Sequence, residues 1–541
     1  MNFGFVIDNT SCIGCHACST ACKSEHQVPL GVNRTWVKYA EVGKYPDVRR
    51  TFQVTRCNHC SNPPCVRICP TAAMHQRDDG IVDFASDACI GCKACMQACP
   101  YDAIYIDPDT HTAAKCNFCA HRTDLGMEPA CVVVCPEHAI IAGDLDDPAS
   151  EISRVVAKNN VTVRKPEQGT APKLFYIDGN DVMMHPTALP RVPEQFMFAD
   201  VLGLHPGEEV HVGGARPAPA PPPTDPSATR SSQTQGLNEA GPIALGGNMA
   251  GHMVQVGYNA QHKIPWHWPI PAYLVTKHIA GGLFAWMAIF ALVPGLEFSA
   301  GQMVWAGALG IFMTLVTLAL LVYDLDRPDR FFYLLLRPQW RSWVARAAWL
   351  LTGFSILSGL WWAVETVGWL GLIPEPTYVR PVFAALTIPF AIGAAIYTAF
   401  LFAQAEGRDM WQSSHVPFQM TLHAIALGAA PLAIIGPTAP VMRWVFVGAM
   451  IASAALTLFS DLTVPQASEL ARRAARDMTH GRYWAKFWLG GIGLGHGVAI
   501  LVAVALGGTI AGAVVALLAA SFGLFSYNLA FVMAPQDQPN S

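Results

Sequence analysis

The pattern of apolar and polar positions divides the 541-residue chain in two. Beyond about residue 270, apolar runs recur at about 271–294, 300–323, 343–364, 380–403, 416–436, 441–460, 486–507 and 509–533, separated by short polar or charged loops. A helix needs about 20 apolar residues to cross a bilayer. A buried helix of a soluble domain would be shorter and would not recur eight times. The second half therefore reads as an all-α polytopic membrane domain of eight transmembrane helices. Upstream, apolar positions come in short alternations. Ala73 to Asp83 alternates around Asp79-Gly80, and Ile104 to Ala114 around Asp107-Pro108-Asp109. Both patterns predict small β-hairpins. Between the halves, residues 216–230 read RPAPAPPPTDPSATR, and a polar, Gly-rich stretch continues to about Asn259. Such composition suits a linker. The expected organisation is 1–205, a linker at 206–262, and a membrane domain at 263–541.

Charge in the loops adds an orientation. With eight spans, the linker, the second, fourth and sixth loops and the C-terminus share one side. Those loops carry Arg327, Arg330, Arg337, Arg341, Arg408, Arg472, Arg473, Arg476, Arg482 and Lys486, against Arg380 and Arg443 on the other side. Short loops rich in Lys and Arg stay in the cytoplasm, so the N-terminal domain and both termini are expected there, on a bacterial inner (plasma) membrane. The N-terminus agrees, having no basic n-region, apolar h-region or twin arginine. The net charge of −4 averages two unlike halves and decides little. Ser468 to Asp477 (SELARRAARD) reads as an amphipathic helix on the inner face. Nothing points to nucleic acid.

The chemistry is concentrated in cysteine. All 16 lie before residue 136, in four groups of four. The first (CIGCHACSTAC) and third (CIGCKACMQACP) have CxxCxxCxxxC spacing, in which three close thiolates hold one [4Fe–4S] cube and the fourth reaches another. The second (CNHCSNPPCVRICP) and fourth (CNFC, then CVVVCP after eleven residues) stretch the third gap. A short loop wraps three corners of a cube, so the last ligand comes from elsewhere. Disulfide scaffolds are not spaced so regularly, and structural zinc uses paired CxxC motifs. Four complete groups imply four [4Fe–4S] clusters, which themselves would hold a domain with a poor core together.

Residues 1 to about 200 resemble the four-cluster ferredoxin subunits of the dimethyl sulfoxide reductase, polysulfide reductase and NrfC-type families. The resemblance rests on CIGCHAC, NRTWVK, CNHCSNPPC, CPTAA, DDGIV, CIGCKACMQACPYDAI, KCNFCAHR, PACVVVCPEHAI and GDLDDPAS. It implies an α+β tandem ferredoxin-like domain with two pseudo-symmetric halves. The implied ligand sets are Cys12, Cys15, Cys18 and Cys135; Cys116, Cys119, Cys131 and Cys22; Cys57, Cys60, Cys65 and Cys99; and Cys89, Cys92, Cys95 and Cys69, the last nearest the membrane. The second half is similar to the NrfD-type anchor, through WHWPIPAYLVTKHIAGG and YDLDRPDRFFYLLLRPQWRSW. Together they imply a fused electron-transfer and anchor subunit. A molybdenum or tungsten bis-pterin catalytic subunit would sit at one end and the membrane quinone pool at the other.

Quinone chemistry needs hydrogen-bond donors and proton conductors near the last cluster. His267, Tyr273, Lys277 and His278 at the start of the first span are the leading candidates, with Asp324, Asp326, Arg327 and Arg330 second. Trp266, His267 and Trp268 could equally form an interfacial aromatic belt, and the Asp–Arg group a structural contact. Intramembrane His423, Asp461 and His496 raise the alternative of a redox-driven proton pump. Glu365 and Glu406, near span ends, are expected to be solvated. Haem is not expected, because His278, His423 and His496 form no obvious ligand pair. A zinc-binding membrane receptor is the remaining alternative.

Overall fold

The computed structural model describes residues 1–44, 46–185, 263–293, 298–434 and 439–540. The linker expected at 206–262 lies outside them. The N-terminal domain is built on a four-stranded sheet centred on Phe3–Asp8. Ile140–Asp144 pairs antiparallel on one side, Phe5 opposite Ala142. Leu174–Ile177 pairs parallel on the other, Phe5 opposite Leu174, with Val161–Thr162 beyond it. Three hairpins surround the sheet. Thr35–Lys44 pairs with Asp47–Arg56, Met74–Gln76 with Val82–Phe84, and Ile104–Ile106 with Ala113–Lys115. The last two are the hairpins expected from alternation. Phe5, Phe118 and Ile7 pack into a core whose other buried members include most of the cysteines.

Each of the eight apolar runs is helical. In chain order the helices are Pro269–Leu292, Ala300–Tyr323, Trp343–Trp369, Arg380–Gln404, Val416–Leu432, Ala439–Leu462, Lys486–Leu506 and Ile510–Gln536. Seven are long and apolar enough to cross a membrane, and the fifth is a shorter apolar helix of 17 residues. The first helix is central, packing on the second, fourth, fifth and eighth. It crosses the fifth at backbone contact, where a Cβ on Gly282 would collide with the Ala424 carbonyl and one on Gly428 with Gly282. Small residues permit such approach between membrane helices. The outer helices expose Trp305, Phe312, Leu315, Leu501, Leu518 and Phe522 on a surface suited to lipid. The seventh begins as a π-helix, Lys486–Val498, within the glycine-rich sequence KFWLGGIGLGHGV.

The ferredoxin domain sits on one end of the bundle. The loop after the second helix pairs with the third cysteine group: Asp326 N–H donates to Gly91 O at 3.2 Å and Arg327 N–H to Ile90 O at 3.3 Å. Arg330 donates to the carbonyls of Ser86 and Cys89, and Lys93 pairs with Asp326 at 3.2 Å. The fourth loop contributes Gly407, whose N–H reaches Gln97 O at 3.1 Å, and Glu406, paired with Arg67 at 2.6 Å. The end of the eighth helix and the residues after it close the interface. Gln536 bonds Gln97 and the Trp266 backbone. Asn540 accepts from Arg164 and Lys165 and donates to Asp102. The helix Glu469–Thr479 lies on the same face, its Ser468 cap bonded to Asp409.

Glu365 corrects an expectation. It is 1% exposed, gripped by Arg380 through two bonds of 2.8 Å and by Trp361 at 3.1 Å. The partner lies across a loop, which spacing along one helix does not reveal.

Candidate functional site

The four cysteine groups share one backbone device. The residue before the second cysteine of each group has positive φ: Gly14 at 67°, His59 at 42°, Gly91 at 68° and Phe118 at 62°. That turn bends each CxxC back on itself so both thiols face one point. All 16 cysteines are free of disulfides. One cavity is lined by Cys12, Cys15, Cys18 and Cys135, another by Cys69, Cys89, Cys92 and Cys95. Elsewhere Cys99, Cys57 and Cys60 crowd Cys65, while Cys131 and Cys119 crowd Cys22.

These residues fit iron–sulfur clusters. Burial pushes the thiols of Cys18 and Cys22 up to about 11 and those of Cys65 and Cys95 well above the usual range, so thiolates there need a bound cation. Donors to sulfur are in place: Met74 N–H to Cys69 at 3.3 Å, Gly91 and Ala113 N–H to Cys89 at 3.4 Å, and Ala139 N–H to Cys135 at 3.3 Å. Arg56, fully buried, donates to Cys131 Sγ at 2.8 Å and stacks on Phe5. Its Nε and Nη2 find no protein partner among the described residues, and cluster sulfides would accept from such groups.

Cys92 also forms part of the wall of a second kind of site. A cavity of about 600 Å³ lies beneath the ferredoxin domain. Its lining is mostly apolar, from Ile270, Leu318, Val322, Leu335 and Leu351 among others, with Tyr273, Tyr397, Asp324 and Trp266 as polar points. Trp266 donates its indole N–H to Cys92 O at 3.2 Å. Burial pushes the Asp324 carboxyl up to about 7, against the lowering effect of Lys93. A cavity of this size and character, with a few placed polar groups, suits a hydrophobic ring compound.

The comparisons with known proteins agree with both halves. Residues 257–536 match the family described as polysulphide reductase, NrfD. This protein belongs to that family. Residues 48–145 of this NrfD-family protein match the 4Fe-4S dicluster domain, a range that leaves the first cysteine group outside. The N-terminal third is similar to a subunit of the tetrathionate reductase of Salmonella typhimurium, 43% identical over 188 residues, covering 34% of the present sequence and 75% of that protein. It is likewise similar to a component of the polysulfide reductase of Wolinella succinogenes, 45% identical over 178 residues, 32% of the present sequence and 93% of that one. The arsenate respiratory reductase iron-sulfur subunit ArrB of a Shewanella species is 36% identical over 225 residues, 33% and 96% respectively. The protein is thus an iron–sulfur electron-transfer subunit joined to a multi-pass NrfD membrane anchor.

The NrfD domain distributes the expected quinone residues unevenly. Tyr273 lines the cavity. Lys277 and His278 lie behind it, fully buried. Lys277 donates to Ala395 O at 3.0 Å and Thr398 Oγ1 at 2.7 Å, under the Tyr397 ring, and His278 Nε2 meets the same Ala395 carbonyl at 3.2 Å. His267 is exposed and outside the cavity lining. Of the second group, Asp324 lines the cavity, while Asp326, Arg327 and Arg330 hold the ferredoxin domain. Tyr397 is absent from the sequence-based candidates. An isolated tyrosine in an apolar run gives no signal until the fourth helix is packed on the first.

Proposed function

We propose that this chain is the electron-transfer and quinone-reactive anchor subunit of a molybdopterin-type oxidoreductase complex, holding four [4Fe–4S] clusters between a separate catalytic subunit and the membrane quinone pool. The observation that carries the reading is the 600 Å³ apolar cavity with Cys92 in its wall and Tyr273, Tyr397 and Asp324 at its polar points. Clusters bound in the cysteine sets would supply one-electron centres. The sets are those inferred from resemblance, and the two cysteine-lined cavities support the first and last of them. Within the quinone pocket, the Tyr273 and Tyr397 hydroxyls offer donors to quinone oxygens, Asp324 exchanges a proton near neutral pH, and the leucine wall excludes water.

The partner would dock where Cys15 and Ile13 are exposed, on the first cysteine loop. A molybdenum or tungsten pterin partner is favoured by relatives named as subunits of tetrathionate, polysulfide and arsenate reductases. The anchor would cross the membrane eight times. The fifth helix starts at His415 on the ferredoxin face and the sixth ends on the same face at Asp461, 3.9 Å from His415, which supports counting this antiparallel pair as two crossings. The arginine-rich loops all lie at the ferredoxin end, which supports a cytoplasmic ferredoxin domain on an inner membrane. Haem is not part of the reading: His278 Nε2 faces Ala395 O and His423 Nε2 faces Gln419.

The test is the purified complex. About 16 iron and about 16 acid-labile sulfide per chain are expected, and a quinone-site inhibitor should alter the paramagnetic signal of the cluster nearest the membrane. Zinc without sulfide, or no quinone-site inhibitor binding, would overturn the reading.

A further inference from the structure

The membrane bundle contains a second, smaller polar site that the quinone pocket does not use. Deep in the bundle, Gln419 Nε2 meets His423 Nε2 at 3.0 Å, Ser453 Oγ at 2.8 Å and Thr457 Oγ1 at 2.8 Å. Ser453 Oγ in turn meets His496 Nε2 at 2.9 Å. Beside this cluster is a cavity of about 20 Å³ lined by His278, His415, Gln419, His423, Tyr527 and Asn528. That is room for one water. Three polar atoms on its lining residues, His278 Nδ1, Gln419 Oε1 and Asn528 Nδ2, have no hydrogen-bond partner among the described residues, and His415 Nε2 meets the Asp461 carboxylate at 3.9 Å. His278, Gln419 and Asn528 are each 5% exposed or less. Burying so many unpaired polar groups in a bundle is costly, and a water with these partners would satisfy them.

The site has two exits, both toward the ferredoxin end. One runs through His415, half-buried at the start of the fifth helix, to Asp461 at 3.9 Å, with Tyr527 OH donating to the same carboxylate at 3.3 Å. The other runs through His278, edge-on to His423 at 5.8 Å between ring centroids. His278 shares the Ala395 carbonyl with Lys277, whose ammonium bonds Thr398, and Thr398 lies against Tyr273 of the quinone pocket. His423 lies eight residues into the bundle from His415, about 12 Å at helical rise, so the network stops near mid-membrane. Beyond it the buried bundle is mostly apolar: Leu283, Phe284 and Met287 of the first helix, Phe354 and Trp361 of the third, Leu427 of the fifth and Met450 of the sixth are all 1% exposed or less, beside the buried hydroxyls of Ser358 and Thr387. Among the described residues, the ionisable side chains that the helices carry in that far half are Glu365 and Arg380, bonded to each other, and Arg443.

We propose that this cavity and its flanking His415–Asp461–Tyr527 group form a proton path between the quinone pocket and the ferredoxin-bearing face, closed toward the opposite face. The inference rests on the quinone reading above. Reducing a quinone to its quinol adds two electrons and two protons, one proton to each carbonyl oxygen, and oxidation reverses this. On the proposed path both protons enter or leave on the side that supplies or accepts the electrons, so turnover carries no net charge across the membrane. The pump is therefore not favoured.

The test uses the whole complex in proteoliposomes of known orientation, driven by a water-soluble quinol analogue, with pH dyes on each side and a potential-sensitive dye. Proton changes are expected on the ferredoxin side alone, with no membrane potential. Asp461→Asn and His423→Phe should each slow turnover by about tenfold or more, with inhibitor affinity and cluster signals unchanged. His415→Ala should recover turnover on addition of imidazole, which a merely structural role would not produce. Protons appearing on the far side, a membrane potential, or wild-type turnover in both Asp461→Asn and His423→Phe would overturn the path. Absence of quinol turnover in the wild-type complex would instead overturn the quinone reading.

Discussion

Replacing Gly91 by alanine tests whether the ferredoxin domain is held on the anchor by the third cysteine loop. An added Cβ would stand 2.7 Å from Asp326 Cβ, 3.0 Å from Asp326 N and 3.1 Å from Arg327 N. Two of those contacts are backbone and cannot swing away. Relief requires the loop after the second helix to withdraw, which breaks the bonds from Asp326 N–H to Gly91 O and from Arg327 N–H to Ile90 O. Losing two backbone bonds costs about 1 kcal/mol each, and residual overpacking about 1 kcal/mol or more. The sum of about 3 kcal/mol corresponds to docking weakened about 100-fold. Gly91 also has φ of 68°, so alanine adds strain of about 1–2 kcal/mol whether or not the domains are docked. Gly126→Ala isolates that term, because Gly126 has φ of 73° and nothing within 4 Å of its added Cβ. The assay places a protease site between residues 206 and 262, cleaves the folded protein, and measures ferredoxin release from the immobilised anchor. Gly91→Ala should release readily and Gly126→Ala should not. Retention by Gly91→Ala within about threefold of wild type, a difference of about 0.6 kcal/mol, would refute the argument, as would equal release by both variants.

Other outcomes follow from single groups. Tyr273→Phe should raise the KM for quinol analogues several-fold by removing one hydroxyl bond of about 1 kcal/mol, measured as steady-state turnover with the protein otherwise intact. The raised pKa of Asp324 means that between about pH 4 and pH 7 the folded chain holds a proton that the unfolded chain has released. Stability therefore falls as pH rises through that window, and Asp324→Asn should flatten the fall in a thermal scan at pH 5 and pH 8. Glu365→Ala takes from buried Arg380 its two carboxylate bonds, a loss of about 3–5 kcal/mol visible as a lowered Tm, while Glu365→Ala combined with Arg380→Met should recover part of it. Oxidative removal of iron by a chelator should unfold the N-terminal domain and leave the helical content of the anchor, as read by circular dichroism.

Much of this architecture is legible along the sequence because its signals are local. An apolar run long enough to span is a helix whatever it packs against, and among the described residues seven of the eight runs form helices of that length, the fifth a shorter one of 17 residues. Cysteine spacing is equally local, and His59 and Phe118 adopt the same left-handed turn as Gly14 and Gly91 although nothing in their identity demands it. What the sequence does not display is convergence. The large cavity joins Cys92, Tyr273, Asp324 and Tyr397 from four separate segments. His267 and Tyr273 look alike in sequence, yet Tyr273 lines the cavity while His267 is exposed and its neighbour Trp266 faces the cavity instead. Glu365 looks solvated in sequence because Arg380 lies beyond a loop. The π-helical start of the seventh helix follows from no rule of spacing, although the five glycines between Gly490 and Gly497 remove the side chains that would resist so wide a turn.

The closure of the domain interface by Gln536 and Asn540 has a consequence for the order in which the protein is made. Gln97 meets Arg408 311 residues later in the sequence and Gln536 439 residues later, and Asp102 meets Asn540 438 residues later. At about 5–20 residues per second, that delay is on the order of 20–90 seconds. During it the third cysteine loop is complete, while the helices that will cover Cys92, Gln97 and Cys99 are still being synthesised and inserted. The cover closes in stages, Trp266 meeting Cys92 174 residues on and Arg408 meeting Gln97 311 residues on, so the period in which iron and sulfide could reach these thiols narrows stepwise before the C-terminal residues complete the interface.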